Sequence, residues 1–162
     1  MWDVAAGNPV GRALALGGGQ PSYIAFRPDG DSMAIAEWDG IIEVSPAPAT
    51  GRVVTMTQNT KGVPDVAHSP DGRYLASAGL DHTVRIFDAR SLAELRVIAQ
   101  PQPASRVGFT DGSRDVVSAN GGNQAWLWDA CTDCESPGRA ARPRPVAGHA
   151  LAHSPGAHPN SA

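Results

Sequence analysis

The sequence is poor in charge and has no long apolar run. Only 18% of its 162 residues are charged and the net charge is −3, so the charge balance favours neither nucleic acid nor an anionic membrane as a partner. No stretch approaches the roughly 20 apolar residues that a membrane-spanning helix needs. The start, MWDVAAGNPVGR, has neither the basic nor the apolar region of a secretory signal. We therefore expect a cytoplasmic protein, provided that this start is the natural one.

Cysteine is also scarce, whereas glycine and proline are abundant. Two cysteines lie three positions apart, which is not the disulfide framework of a small secreted domain. Eighteen glycines and 14 prolines indicate many turns and little helix. A hydrophobic content of 41% supplies a modest core for one domain.

The best-formed stretch runs from 66 to 90 and reads VAHSPDGRYLASAGLDHTVRIFDAR. It contains three short apolar runs that are separated by a Ser-Pro-Asp-Gly turn and a Gly-Leu-Asp-His turn. Proline presets φ in the first turn, and Asp-Gly supplies a side-chain acceptor and a residue that tolerates positive φ. This pattern predicts an antiparallel meander of short strands.

The meander repeats along the chain. Pro28 to Gly30 recurs as Pro70 to Gly72 and again as Thr110 to Gly112, at spacings of 42 and 40 residues. The run that closes each unit recurs at spacings of 43, 42 and 41 residues, at Trp2, Ser45, Phe87 and Trp128. A period of about 40 to 45 residues with four strands per unit is typical of propeller blades.

These residues resemble a known family, the Trp-Asp (WD) repeat β-propellers. The likeness rests on Leu127-Trp128-Asp129 and on the stretch from Ser69 to Ser77, SPDGRYLAS, and it covers residues 1–129. The middle unit matches well, and the outer two are degenerate. The resemblance implies an all-β partial β-propeller of three four-stranded antiparallel blades that binds proteins as a scaffold.

The units are predicted at 20–58, 62–100 and 103–130 within a domain 1–130, preceded by a stray outer strand at 10–16. We expect the third strand of the first unit to end early, because Pro46 cannot donate a ladder hydrogen bond. We expect the last blade to lack its outer strand, because the proline-rich segment 131–162 shows no strand pattern and is predicted to be disordered.

Three units cannot close a ring, since closed propellers typically have at least four blades. The Met1-Trp2-Asp3 start looks like the end of a blade whose other strands are missing. Two interpretations remain open. The chain is a C-terminal fragment of a longer bacterial WD-repeat protein, or two copies associate into a six-bladed ring.

Asp81 precedes the third strand of the middle unit. The resemblance implies an Asp here that is linked through Ser or Thr and Trp to a His in an outer loop. Asp39 occupies the matching place in the first unit, and Ser77 is the candidate hydroxyl partner of Asp81. Phe87 replaces the Trp and no Gly-His precedes Val66, so we expect turn capping rather than the full network. Trp128 and Asp129 are predicted to close the third blade.

Four side chains are candidates for binding a protein partner. Aromatic and arginine side chains are common interaction anchors, whereas packing between blades is the alternative for the two tryptophans. The candidates are Trp38, His82, Arg85 and Trp126.

The sequence offers no assembled catalytic set. His68, Ser69 and Asp81 are the residue types of Ser-His-Asp hydrolysis, but no Gly-x-Ser-x-Gly elbow is present and Ser69 precedes a turn proline. Gly17 to Gly19 lack the Gly-Lys-Ser/Thr of a phosphate loop. We predict no catalytic residue, no enzyme activity and no cofactor, with a propeller accessory to a separate hydrolase or NTPase domain as one alternative.

A zinc-binding module is the other alternative. Cys131, Cys134, His149 and His153 have the spacing Cys-x₂-Cys-x₁₄-His-x₃-His, which falls within the window of tetrahedral zinc sites. The intervening segment offers no apolar core, from which zinc modules also gain stability. The Trp-Asp-x-Cys-x-x-Cys ending also looks like the close of the last blade in some bacterial multi-repeat proteins, where no metal is implied.

Overall fold

The computed structural model describes residues 2–9, 14–17, 19–47, 52–110, 112–122, 124–129 and 144–145. Its regular structure consists of strands joined by turns, which confirms the all-β prediction. In this part of the chain no helix has the length and apolarity that a membrane crossing requires. The predicted tail 131–162 lies outside the described residues except for 144–145.

Fourteen strands lie within the described residues. They are β1 (Trp2–Asp3), β2 (Asn8–Pro9), β3 (Pro21–Phe26), β4 (Ser32–Glu37), β5 (Ile42–Pro46), β6 (Val54–Met56), β7 (Asp65–His68), β8 (Tyr74–Ala78), β9 (Thr83–Asp88), β10 (Glu94–Ala99), β11 (Arg106–Phe109), β12 (Asp115–Ala119), β13 (Ala125–Asp129) and β14 (Arg144–Pro145).

Twelve of these strands form three antiparallel sheets in simple meander order. Blade 1 contains β3 to β6, blade 2 contains β7 to β10 and blade 3 contains β11 to β14. The short strands β1 and β2 pair only with each other among the described residues. This arrangement confirms the prediction of a partial propeller made of three consecutive blades.

Blade 3 differs from the prediction because it has a fourth strand. Trp126 pairs with Pro145 and Leu127 with Arg144, so two residues of the predicted tail form β14. Proline is tolerated there because an outermost strand leaves one side of its backbone without a ladder. Leu14 to Leu16, part of the predicted strand 10–16, are not in a strand, and 10–13 lie outside the described residues.

The expectation that Pro46 shortens β5 was wrong. Pro46 pairs with Ser32, and the ladder continues past it because the Ala47 amide donates to the Asp31 carbonyl at 2.9 Å. Since alternate amides along a strand point to opposite sides, the missing N–H of Pro46 would point away from β4. The pairing between β5 and β6 reaches only Val44, so the proline removes no hydrogen bond.

The core consists of two apolar clusters, one at each junction between blades. The cluster between blades 1 and 2 contains Ala34, Ala36, Ile42, Met56, Val63, Val66, Leu75, Phe87 and Ala89. The cluster between blades 2 and 3 contains Tyr74, Ala76, Ala78, Val84, Ile86, Ile98, Ala104, Val107, Val116 and Trp128. All five residues of β8 are buried, because this strand packs against both neighbours.

Polar contacts also cross the two junctions. The Asp65 carboxylate of blade 2 accepts a hydrogen bond from the Val107 amide of blade 3 at 3.0 Å. Burial raises the pKa of Asp65, although this hydrogen bond and Arg106 oppose the shift. Arg27 Nε of blade 1 donates to the Gly72 carbonyl of blade 2 at 3.1 Å. Each blade therefore aligns its neighbour through a directional bond as well as through apolar packing.

Phe87 tests the junction between blades 1 and 2. Its side chain is fully buried, so Phe87→Ala leaves a cavity and should lower the free energy of unfolding by about 3 to 5 kcal/mol. Urea denaturation of the two proteins measures this difference. Val97→Ala is the control, because Val97 is 44% exposed and should change stability by less than about 0.5 kcal/mol. Similar losses in both variants would contradict the packing of this junction.

Candidate functional site

The two ends of the sheets present different turns. At one end, here named the Asp-turn end, lie the β4–β5 turn (38–41) and the β8–β9 turn (79–82). At the opposite end, named the Pro-Asp-Gly end, lie the β3–β4 turn (27–31) and the β7–β8 turn (69–73). Neighbouring turns at each end come from different blades, so each end is a composite surface.

Asp81 organises the Asp-turn end of blade 2. Its Oδ1 accepts hydrogen bonds from the amide and the hydroxyl of Thr83, at 3.1 and 2.6 Å. Its Oδ2 accepts from the amide and the hydroxyl of Thr60, at 3.1 and 3.3 Å. Arg85 Nη2 lies 3.6 Å from the same oxygen. One carboxylate therefore caps its own turn and holds the loop that enters the blade.

The electrostatic environment keeps Asp81 ionised. Burial by itself raises the pKa of this carboxyl, but the hydrogen bonds from Thr83 and Thr60 and the charge of Arg85 outweigh burial. The net pKa lies below the ordinary value of 3.8. The ionised carboxylate is thus a structural group, since its oxygens are occupied by the surrounding turn and loop.

The corresponding turns of the other two blades are capped by Asp39 and by Asn120. In blade 1, Asp39 Oδ1 accepts from the Ile41 amide at 3.2 Å, as its alignment with Asp81 predicted. In blade 3, Asn120 Oδ1 accepts from the amides of Gly122 and Gln124, at 3.0 and 3.2 Å. Asn120 was not among the predicted capping residues, although Asn is a common capping residue of such turns.

Ser77 is not the partner of Asp81. Its hydroxyl is buried and has no hydrogen-bond partner among the residues that the structure describes, because Phe87 across the blade has no N–H group. Blade 3 has the linked arrangement instead. The hydroxyl of Ser118 accepts from Trp128 Nε1 at 2.8 Å and from Gln100 Nε2 at 2.5 Å.

Gln100 therefore takes the place of the expected outer-loop His. The expected partner of the serine was a His in a Gly-His before blade 2, and a glutamine side chain before blade 3 was not predicted in that role. The signal was the Ser-Trp pair itself, since a buried indole N–H and a serine hydroxyl call for polar partners.

The four predicted partner-binding residues differ in accessibility. Trp38 is 49% exposed and His82 is exposed with a φ of 67°, both in turns of the Asp-turn end. Arg85 is held by Glu94 at 2.7 Å in addition to Asp81. Trp126 is partly buried against the apolar cluster between blades 2 and 3. Only Trp38 and His82 are thus presented freely to a partner.

The residues of the hypothetical hydrolytic set lie apart. Ser69 and Asp81 flank opposite ends of β8, and the Ser69 hydroxyl donates to Asp71 at 2.6 Å and accepts from the Tyr74 amide at 2.9 Å. Burial lowers the pKa of His68, although a backbone hydrogen bond with Tyr74 opposes the shift. This arrangement provides no nucleophile–base pair.

The proposed zinc ligands cannot be compared with the structure. Cys131, Cys134, His149 and His153 lie outside the described residues, so the zinc site stays a prediction from spacing alone. Among the residues that the structure does describe, no group of three or more His, Cys, Asp or Glu side chains is arranged to hold a metal ion.

Comparison with known proteins identifies the class. Residues 51–88, which include β6 to β9, match the family model described as WD domain, G-beta repeat. Together with the blade architecture and the relatives below, this match shows that the chain contains a WD repeat and is similar to the WD-repeat β-propellers. Domains of this kind generally act as protein–protein interaction scaffolds, and they typically lack catalytic activity and cofactors.

Similar proteins come from distant organisms. The chain is 33% identical over 95 residues to periodic tryptophan protein 2 homolog of Caenorhabditis elegans, covering 58% of this chain and 10% of that protein. It is 36% identical over 101 residues to a WD repeat-containing protein of Synechocystis sp., covering 60% and 29%. Ribosome assembly protein 4 of Saccharomyces cerevisiae is 41% identical over 46 residues, covering 28% and 9%. The chain thus spans less than a third of the length of these relatives.

A solved structure supports the fold. The WD40 repeats of RRP9 superpose with a TM-score of 0.69 and 21% sequence identity, covering 74% of this chain and 38% of that one. At this level of identity the likeness establishes the propeller architecture.

Asp81→Ala tests the capping role. The variant loses the acceptor for Thr83 and Thr60, so the free energy of unfolding at pH 7 should fall by about 1 to 3 kcal/mol. Because the folded pKa of Asp81 lies below 3.8, the unfolded chain binds the proton more readily in acid. The stabilisation is therefore present above pH 3.8 and lost as the pH falls toward the folded pKa.

Denaturation of wild type and variant at a series of pH values measures this effect. The stability difference between them should shrink below pH 3.8, and a difference that is independent of pH would contradict the ionised cap. Asp39→Ala is the matched control, since within the described part of the chain Asp39 accepts one hydrogen bond and its loss should cost less.

Proposed function

We propose that the chain is a non-catalytic protein–protein interaction scaffold, part of a larger regulatory or signalling protein, that binds a protein partner at its Asp-turn end. Trp38 and His82 are the contact residues. The exposure of Trp38, 49% of a large aromatic side chain on a fixed turn, carries this proposal. Partly exposed tryptophans of this kind are frequent anchors of protein interfaces.

The backbone around Trp38 is held in place from two sides. Its amide donates to the Gln20 carbonyl at 3.0 Å. Its carbonyl would lie 2.6 Å from a Cβ placed on Gly62, so the loop before blade 2 packs directly against the turn. A preorganised aromatic anchor loses little conformational freedom on binding. This favours recognition by a rigid surface.

The relatives do not specify the partner. The match to ribosome assembly protein 4 covers 46 residues, about the length of one repeat. One repeat defines a blade, whereas partner choice depends on turn residues such as Trp38. We therefore propose a protein partner and leave its class to experiment.

Trp38→Ala tests the proposed interface. A protein captured by the wild-type chain from its source cells is purified and its dissociation constant measured by titration. Loss of an anchor should weaken binding by about 2 kcal/mol, roughly thirtyfold. Leu95→Ala is the control, since Leu95 is 41% exposed on the outer strand of blade 2 and should leave the affinity unchanged. A partner that binds Trp38→Ala as tightly as wild type would contradict this interface.

Blade 1 has a second accessible surface along β3. Ile24 and Phe26, two positions apart and therefore on one face of β3, are 50% and 53% exposed, whereas the matching strand of blade 2, β7, is buried or half-buried throughout. An apolar strand face of this kind is suited to pack against another blade. We propose that a further blade covers it, supplied by a second copy or by additional repeats.

Light scattering distinguishes the two sources of that blade. If two copies form a ring, the solution mass should be twice that of one chain, and Phe26→Ser should shift it to the mass of one chain. Val97→Ser is the control, because Val97 is equally apolar and 44% exposed but lies on the outer strand β10. A wild-type chain that stays monomeric at high concentration would contradict the two-copy ring.

A further inference from the structure

The Pro-Asp-Gly end contains a groove between blades 1 and 2. Its volume is about 260 Å³, which suits one or two side chains of a peptide rather than a larger ligand. One wall consists of strand ends of blade 1 and the other of the β9–β10 connection of blade 2. The groove is lined by Arg27, Asp31, Ser32, Val44, Ser45, Pro46, Arg52, Val54, Ala89, Arg90 and Leu92.

The lining carries an excess of positive charge. It contains three arginines and one carboxylate, Asp31. Arg27 is partly neutralised, because its Nε lies 3.2 Å from Asp29 and also donates to Gly72. Arg52 and Arg90 form neither a hydrogen bond through the side chain nor an ion pair with any residue that the structure describes. The charge of Arg90 helps to lower the pKa of Asp88, but both side chains are exposed, and their guanidinium N–H groups are available to an anion.

The wall that carries Arg90 is rigid. Asp88 Oδ1 accepts hydrogen bonds from the amides of Arg90 and Ser91, at 3.0 and 2.7 Å, and from the Ser91 hydroxyl at 2.9 Å. Leu92 adopts a φ of 59° and donates its amide to the Asp88 carbonyl at 2.8 Å. Because this turn is fixed before binding, little ordering entropy is lost when a ligand enters.

The rest of the lining is apolar and partly exposed. Val54 is 44% exposed, and Pro46 and Leu92 are half-buried beside it. A ligand that satisfies both halves of the groove needs an anionic group next to aliphatic side chains. A free inorganic anion would leave the apolar half uncovered.

We propose that this groove binds an extended acidic peptide segment of a protein partner, with a Glu or Asp side chain between Arg52 and Arg90 and an aliphatic side chain against Val54. Guanidinium and carboxylate groups pair in a planar, often bidentate geometry. A carboxylate fits better than a phosphate, because Asp31 repels the second negative charge that a phosphate brings. This inference rests on the proposed scaffold role and places a second, chemically different contact opposite Trp38.

Oriented peptide pools test the groove. Each pool is acetylated and amidated, has one fixed central residue and four randomised positions on either side, and is applied to the immobilised full chain. The central residue is Glu, Gln or phosphoserine in three separate pools. The Glu pool should bind at least about threefold more than the Gln pool, as one exposed charge contact can provide, and the preference should fall as salt rises.

Two variants locate the binding. Arg52→Gln/Arg90→Gln should abolish the preference for Glu, since it removes both available guanidinium groups without disturbing a described hydrogen bond of either side chain. Lys61→Gln/Arg106→Gln removes the same net charge from exposed positions elsewhere and should keep the preference.

Three results would overturn the proposal. They are equal binding of the Glu and Gln pools to wild type, a preference for Glu that survives in Arg52→Gln/Arg90→Gln, and stronger binding of the phosphoserine pool than of the Glu pool. None of them affects capture of a partner through Trp38, so failure of the groove is distinguishable from failure of the scaffold role.

Discussion

The structure depends on one constraint, which is that the inner strands of a blade must be covered on both faces. β8 shows it most clearly, since all five of its residues are buried and it contributes Leu75 to one apolar cluster and Ala76 to the other. Strands covered twice need small or apolar residues on both faces, which explains the sequence Tyr-Leu-Ala-Ser-Ala in β8. Blade 2 satisfies the constraint within the described residues, whereas in blade 1 β4 is buried along most of its length but β3 leaves Ile24 and Phe26 exposed.

Polar groups that are buried at the junctions need hydrogen-bond partners within the protein. In blade 3 the buried Ser118 hydroxyl accepts from Trp128 and Gln100, so the indole and the amide are satisfied together. In blade 2 the same framework positions hold Ser77 and Phe87, and the serine hydroxyl is left without a partner. A buried unsatisfied hydroxyl costs about 1 to 3 kcal/mol. The large apolar contact of Phe87 offsets that cost, which is why a degenerate repeat still forms a complete blade.

Local chemistry made most strands predictable from the sequence. The meander predicted over residues 66–90 forms as β7 to β9, because the Ser-Pro-Asp-Gly and Gly-Leu-Asp-His turns are defined by residues within a few positions of each other. The errors arose where the outcome depends on register or on distant partners. Pro46 removes no hydrogen bond because the pairing of β6 with β5 stops at Val44. The strand β14 pairs with β13, which is separated from it by the long segment 130–143. The ion pairs of Arg85 with Asp81 and Glu94 and the packing of Trp126 against the cluster between blades 2 and 3 also depend on distant residues, so the sequence did not predict them.

The antiparallel meander also separates the two candidate contact surfaces. In blades 1 and 2 the first and third connections between strands lie at the Pro-Asp-Gly end, and the second connection lies at the Asp-turn end. Residues from one type of turn therefore cannot reach the other end. The Asp-turn end presents an aromatic side chain beside carboxylates that are already committed to capping, as Asp81 is. The Pro-Asp-Gly end presents the exposed guanidinium groups of Arg52 and Arg90, which form no ion pair with a residue that the structure describes. Aromatic and cationic contacts select different partner surfaces. The proposed Trp38 contact and the proposed arginine groove would therefore recognise two different segments of a partner, and the blades between these two sites would determine the distance between the segments.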